Sequence, residues 1–313
     1  MTTLNSPDSN DLSEARRGVG AAFTAYLLWG TLPAYWKMLA GIPVVELMAH
    51  RVLWTLLVVV GFQAMRGRLG ALRGTWSNSR NRMAHLRGGV LIAINWGCFV
   101  WALLNDRIIE ASLGYFLVPL LNAALGRVVF QERLDRLQKA ALALAGLGVA
   151  VLFTQVDNPP WVALGIAASW SLYGVGRKQS SASAINGLAL EMTFAAPVAL
   201  TYLIWAHAQG GGAFGGMSRQ IDLTIAGTGI MSMIPLVLFA YATRRLTYTT
   251  IGLLQYVAPT CQFLMGWLIF GEVFSGMRVF GFSLIWLGLV CYVYSTLRAH
   301  RVAAAAAYTT PAV

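Results

Sequence analysis

The sequence predicts an all-α membrane protein: ten transmembrane helices arranged as two inverted five-helix repeats. Three observations carry that expectation. Only 11% of the residues are charged while 57% are hydrophobic, against roughly 25% charged in soluble domains. Ten apolar runs are each long enough to cross a hydrocarbon layer about 30 Å thick, where a helix is what satisfies its own N–H and C=O groups. The two halves of the chain also carry matching residues at matching spacings.

The runs fall at approximately 17–38, 44–65, 87–105, 110–130, 137–154, 160–178, 186–207, 223–243, 248–270 and 277–298. Residues 1–16 are read as a disordered cytoplasmic tail. They lack the early apolar stretch of a signal peptide, so the first helix is expected to stay as an anchor. That first run carries Tyr26, Trp29, Gly30 and Pro33. The second opens on VVELMAHRVLW, where Glu46, His50 and Trp54 recur every four residues and stack on one face, with Arg51 about 100° around from His50. Between runs two and three lies RGRLGALRGTWSNSRNRMAHLR, a basic segment suited to anionic headgroups. The third run places Asn95, Phe99 and Ala102 on one face, beside Trp96, and the fourth aligns Ser112, Tyr115, Pro119, Asn122 and Gly126. The fifth closes a first repeat over 17–154.

The second repeat, 155–298, begins with a run that holds Trp170, Tyr173 and Gly174, followed by one with Glu191 near its start and Pro197 at its middle. The segment AQGGGAFGGMSRQID resembles a phosphate cradle but lacks the lysine, and reads as a flexible outer linker. Pro235 lies in the eighth run, Gln255 and Pro259 in the ninth. Residues 299–313, with an AAAAA stretch, form a second cytoplasmic tail or a frayed helix end. Each proline inside a helix frees the carbonyl four residues earlier, here those of Trp29, Tyr115, Thr193, Met231 and Gln255.

Pro119, Gly126, Phe130 and Glu132 are spaced like Pro259, Gly266, Phe270 and Glu272. Trp101, Ala102, Arg107 and Gly114 align with Phe239, Ala240, Arg245 and Gly252. Tyr26, Trp29 and Gly30 align with Trp170, Tyr173 and Gly174, and Glu46 with Glu191. Five crossings per half make the second copy enter the membrane upside down, an arrangement that marks secondary transporters. The net charge of +11 follows the same topology instead of pointing to nucleic acid. Eighteen Lys and Arg fall on one side if the N-terminus is cytoplasmic, against Lys37, Arg107, Arg219 and Arg278 on the other, with Arg51 inside a helix. The positive-inside bias therefore puts both ends in the cytoplasm.

The faces of the helices describe an aromatic and amide-lined cavity: Tyr26, Trp29, Pro33, Asn95, Trp96, Ser112, Tyr115, Asn122, Trp170, Tyr173 and Gln255. For each of these residues, plain packing through small side chains is the competing reading. Glu46, His50, Arg51, Trp54 and Glu191 are the candidate gate or proton site. A charge at the bilayer centre costs roughly 2.5–3.5 kcal/mol, so Glu46 and Arg51 must face protein or water. An interfacial helix start, with an acidic residue at the positive end of the dipole, is the alternative. Catalytic signatures are missing: no lysine precedes Ser or Thr in a glycine-rich loop, and there is no HExxH pair and no GxSxG elbow. Cys98, Cys261 and Cys291 are scattered among the runs and read as buried thiols. Neither a cofactor nor a metal is expected.

The stretches AYLLWGTLPAYWK, ELMAHRVLW, NWGCFVWALLNDRIIEASLGYFLVPL, SLYGVGRK and LQYVAPT resemble, in order and spacing, the RarD branch of EamA-type carriers in the drug/metabolite transporter superfamily. The resemblance runs from about Gly18 to Arg298. It implies an inner-membrane protein of ten helices in two inverted EamA repeats around a central substrate cavity. Members carry the label chloramphenicol-sensitive, which names a phenotype and not a substrate. The motif positions are Tyr26, Trp29, Gly30, Pro33, Lys37, Glu46, His50, Arg51, Trp54, Asn95, Trp96, Glu110, Ser112, Gly114, Tyr115 and Pro119. Two departures stand out: QERL replaces the more usual GERL, and Arg127 takes an apolar position. The expected function is alternating-access export of a small amphipathic metabolite or drug across the cytoplasmic membrane, with protons as the candidate coupling ion. A passive facilitator or channel, a membrane-embedded enzyme and a scaffold are its rivals. Substrate and lipid are the expected partners; oligomeric state is left open.

Overall fold

The computed structural model describes residues 9–105, 108–154, 161–269 and 275–309, and all regular structure among them is helical. The helices are α1 (Ser9–Lys37), α2 (Val44–Met65), α3 (Leu69–Ser77), α4 (Ser79–Leu104), α5 (Ile108–Val129), α6 (Arg136–Phe153), α7 (Trp161–Gln179), α8 (Ala184–Ala208), α9 (Arg219–Thr243), α10 (Tyr248–Leu254), α11 (Val257–Leu268) and α12 (Gly276–Thr309). Of the positions matched between the halves, Arg107, Phe270 and Glu272 lie outside the described residues.

Among the described residues, α2, α4, α5, α6, α8, α9 and α12 contain segments long and apolar enough to cross a membrane. The runs expected at α1 and α7 fall short of that standard in composition, carrying Tyr26, Trp29, Pro33 and Trp170 along an interior cavity, whereas α10 and α11 fall short in length. The ninth run is also broken. Pro259 has no N–H to offer the Gln255 carbonyl, and that oxygen accepts instead from the Ala258 N–H at 3.1 Å. Gln255 and Tyr256 thus separate α10 from α11, and the carbonyl expected to be free is occupied.

Several expected loops are helical. Asn78 accepts from the N–H groups of Arg80 and Asn81 at 3.0 and 3.2 Å and starts α4 well before the apolar run. The basic segment is therefore α3 plus the first turns of α4. The tail read as disordered over 1–16 is helical from Ser9, and α12 continues through the alanine stretch to Thr309, as alanine's helix propensity favours. Asp135 and Gln138 form a reciprocal capping box at the start of α6. The end of α5 is unusual: Gln131 has φ 55, a left-handed conformation in which glycine would be unstrained.

The helices interlock across the two halves of the chain: α2 packs on α8, α5 on α10, α6 on α12, α4 on α7 and α8, α1 on α9 and α11, α2 on α9, and α5 on α7. The α6–α12 contact brings backbone close to backbone. A Cβ added at Gly148 would stand 2.6 Å from the Gly281 carbonyl oxygen, and one at Gly288 2.6 Å from that of Ala141. Large side chains such as Leu57, Val198, Ile204, Leu223 and Val290 are left exposed on the outside, a surface suited to lipid and not to water.

One end of the bundle gathers α3 and the chain turns at 130–135, 180–183 and 244–247. There Arg245 reaches Glu14 at 2.6 Å and holds its carboxyl below the usual carboxylate range, while Ser181 donates to Asn81 at 2.8 Å. Glu132 accepts from the N–H groups of Tyr248 and Thr249, joining the first half to the start of α10. The opposite end holds the turns at 38–43 and 209–218, where Tyr35 donates to the Thr224 carbonyl.

Candidate functional site

A cavity of about 480 Å³ runs inward from the 38–43 turn between α1, α2, α4, α5, α7, α9 and α10–α11. Nine of the expected cavity residues line it: Tyr26, Trp29, Pro33, Asn95, Trp96, Ser112, Tyr115, Trp170 and Gln255. Phe99, placed on the Asn95 face by the sequence, lines it too, and Trp36 and Gln262 join without having been singled out. Asn122 and Tyr173 do not line it. Asn122 is buried where α5 crosses α10, its Cβ 2.7 Å from the position a Gly252 side chain would take. Tyr173 lies one layer deeper than the cavity floor.

That floor is aromatic. Trp29 and Trp170 meet edge to face at 5.3 Å, Tyr26 lies 5.7 Å from Trp29, and Phe239 touches Trp170 at 5.3 Å. Tyr173 stacks on Phe239 at 6.3 Å. Aromatic rings in edge and offset arrangements pack tightly enough to exclude water. The helical periods of α1 and α7 put Tyr26 and Trp29, and Trp170 and Tyr173, on adjoining faces, so a plug forms where the two helices meet around α9.

Much of the polar side wall is internally satisfied. Asn95 donates to the Ile166 carbonyl at 3.0 Å and to Ser169 at 3.2 Å, and accepts from the Tyr115 hydroxyl at 3.2 Å. Gln255 accepts from the Trp170 indole at 3.2 Å.

The five residues named as gate or proton candidates, Glu46, His50, Arg51 and Trp54 on α2 and Glu191 on α8, occupy three places. Arg51 lines the cavity: its Nε donates to Ser232 at 2.7 Å and its guanidinium lies 4.3 Å from the Trp96 ring centre. Glu46, His50 and Trp54 do share a face, but it turns away from the cavity. Glu46 accepts from the Ala213 N–H at 2.6 Å and sits 3.8 Å from His50, while Phe214 covers both His50 and Trp54 at 5.5 Å. The glycine-rich segment expected to be a flexible linker is thus folded over the start of α2. Positive φ at Gly210, Gly212 and Gly215 lets the chain turn tightly enough to aim the Ala213 N–H at the carboxylate.

Glu191 stands at the other end, beneath the aromatic plug and with no solvent exposure. One of its oxygens meets His85 at 2.7 Å and Arg177 at 3.0 Å; the other accepts from Tyr173 at 3.0 Å. His85 also reaches Ser180 at 2.9 Å, and Arg177 donates to the Ala184 carbonyl at 2.7 Å. Gly187 makes room: a Cβ there would fall 2.3 Å from Arg177 and 2.4 Å from His85. His85 and Arg177 were not expected here. The available signal was Glu191 itself, because a carboxylate inside an apolar run requires a partner. The side chain of Glu110 lies outside the described residues.

Apolar helices with a lipid-suited exterior, packed around an aromatic and amide cavity that a charged cluster seals at one end, define a multi-pass membrane protein built around an interior binding chamber. The EamA-like transporter family matches residues 16–154 and again 160–294, and the chain belongs to that family. Protein RarD of Streptomyces exfoliatus is 38% identical over 290 residues, covering 92% of each chain. An uncharacterized transporter of Pseudomonas aeruginosa is 37% identical over 286 residues, covering 91% of this chain and 96% of its own. A solved crystal structure superposes with a TM-score of 0.68 at 22% identity, covering 88% of this chain and 96% of its own, which speaks for the fold alone. The chain is a RarD-type membrane transporter of the drug/metabolite class.

Proposed function

We propose that the chain is a ten-crossing secondary carrier of two inverted five-helix repeats that exports a small amphipathic metabolite or drug across the inner membrane by alternating access. The observation that carries this reading is the asymmetry of the cavity: it reaches the 38–43 turn at one end and stops at the Tyr173–Phe239 plug and the Glu191 cluster at the other. The helix pairings support the repeat. Exchanging α1 with α7, α2 with α8, α4 with α9, α5 with α10–α11, and α6 with α12 leaves the set of main pairings unchanged. The Lys and Arg bias puts the Glu191 end and both termini in the cytoplasm, so this conformation faces outward. Rocking one repeat against the other would open the Glu191 cluster and close the 38–43 end.

Glu46 with His50 is the proton-responsive element at the outer end, with Trp54 beneath the same cap. Asp222, which accepts from the Gly215 N–H at 2.8 Å, belongs to that corner, and the Ala213 N–H faces the carboxylate directly. Protonation of Glu46 would weaken its hold on the 209–218 segment and loosen the cap. Purified protein in vesicles with an imposed pH gradient, screened against metabolites and antibiotics including chloramphenicol, tests this. Wild type is expected to accumulate a substrate when the gradient is present. Glu46→Gln is expected to transport at one rate whatever the outside pH. Equal pH dependence in the variant removes Glu46 from coupling, and equilibration without accumulation favours a passive facilitator.

A further inference from the structure

We propose that the cavity selects an organic anion, a single carboxylate on an apolar body of about one ring, with Arg51 as its counter-charge. The proposal rests on the carrier reading and adds the substrate class. Among the described residues that line the cavity, Arg51 is the one charged side chain. The other arginine inside the bundle, Arg177, is neutralised by Glu191 at 3.0 Å. Arg51 has no such partner: no carboxylate pairs with it among the described residues.

The donors of Arg51 are only partly used. Its Nε donates to Ser232, and Nη1 meets nothing better than the Met48 sulfur at 4.0 Å, a weak acceptor. Nη2 has no acceptor among the described residues. The guanidinium is held between indoles, 4.3 Å from Trp96 and 5.7 Å from Trp36, which fixes the plane of the fork and leaves an edge for a two-oxygen acceptor. A cation at membrane depth is tolerated when it faces a partner or water, and here it faces the cavity.

The remaining wall matches such a ligand. Because the Gln255 oxygen is taken by the Trp170 indole, that side chain has amide hydrogens to give. Asn95 and Tyr115 satisfy each other and the backbone. Among the described residues no lining side chain is a carboxylate, so a ligand ammonium finds no counter-charge among them. One fixed positive charge balances one negative charge; a second would rest against indole rings. A volume of about 480 Å³ accommodates a ring, a short chain and the acid group.

The test uses three probes on one phenylpropyl skeleton, 3-phenylpropionate, 3-phenylpropanamide and 3-phenylpropylamine, added to the purified full-length protein in nanodiscs. Binding is read by the shift in unfolding midpoint and by tryptophan fluorescence. Wild type is expected to bind the acid at least about tenfold more tightly than the amide or the amine. Arg51→Gln is expected to bring that ratio to about one, and Arg51→Lys to retain part of it. Equal binding of the three by wild type overturns the proposal, as does an acid preference that survives Arg51→Gln or no binding of the acid at all. Should Arg51→Gln fail to fold, acid preference in both wild type and Arg51→Lys is the required result, and its absence from either overturns the proposal. Counterflow of the same probes in proteoliposomes separates the two readings. Acid-selective binding with no flux sinks the carrier reading while Arg51 keeps its assignment, and flux of only the amide and amine sinks the assignment while the carrier stands.

Discussion

Glu191 holds His85, Arg177 and Tyr173 with two oxygens, in a place where none of the four side chains reaches water freely. Removing one partner of a buried ion pair leaves the other charge uncompensated, at a cost of about 3–5 kcal/mol. Glu191→Ala is therefore expected to lower the unfolding midpoint sharply, and Glu191→Gln, which can still accept from Tyr173, less so. A thermal melt in detergent that leaves Glu191→Ala equal to wild type would show that the cluster contributes little to stability. The sequence allowed Glu191 to be flagged as a gate or proton candidate near a helix start but concealed both its burial and its partners. His85 is 106 positions away, inside a segment whose charges read as topological. Arg51 teaches the complementary lesson. Adjacent to His50 in the chain, it enters the cavity while His50 lies under Phe214, because 100° of helical rotation separates a cavity wall from a loop-covered face.

At the scale of elements, hydrophobic length and helical period made the long helices legible, together with the faces that carry Trp29, Asn95 and Tyr115. They did not reveal α3, which is too polar and short to register as a buried helix, or the break between α10 and α11. The proline that causes the break was visible, but the rescue of the Gln255 carbonyl by Ala258 depends on how the chain adjusts locally. The departure at QERL has a physical meaning: Gln131 takes a left-handed φ at the end of α5. A residue with a Cβ is disfavoured in that region by roughly 1–2 kcal/mol. Gln131→Gly is expected to raise the unfolding midpoint modestly. A fall would mean that the side chain of Gln131 makes up for its backbone.

For the whole molecule, the orientation is checked by side-specific labelling after Cys98, Cys261 and Cys291 are replaced by alanine. Ala40→Cys is expected to react with a membrane-impermeant maleimide on intact cells, and Ser181→Cys only on inverted vesicles. Both positions are exposed, at opposite ends of the bundle. The reverse pattern would turn the carrier over, making the cavity inward-facing. The matched spacings of the two halves agree with the family match, which falls twice on the chain, over 16–154 and 160–294. The division of labour between cavity and cap was not legible in the sequence, because it depends on the folding of the 209–218 segment over α2.

The interlocked pairings also govern how the protein must be made. The principal neighbours of α2, α4 and α6 are α8, α7 and α12, all synthesised later. When the ribosome has finished α6, the helices already delivered to the bilayer lack the surfaces they are shaped to meet. Assembly is thus a late event in biogenesis, and a product halted after Phe153 would be a natural target for the proteases that clear orphaned membrane segments.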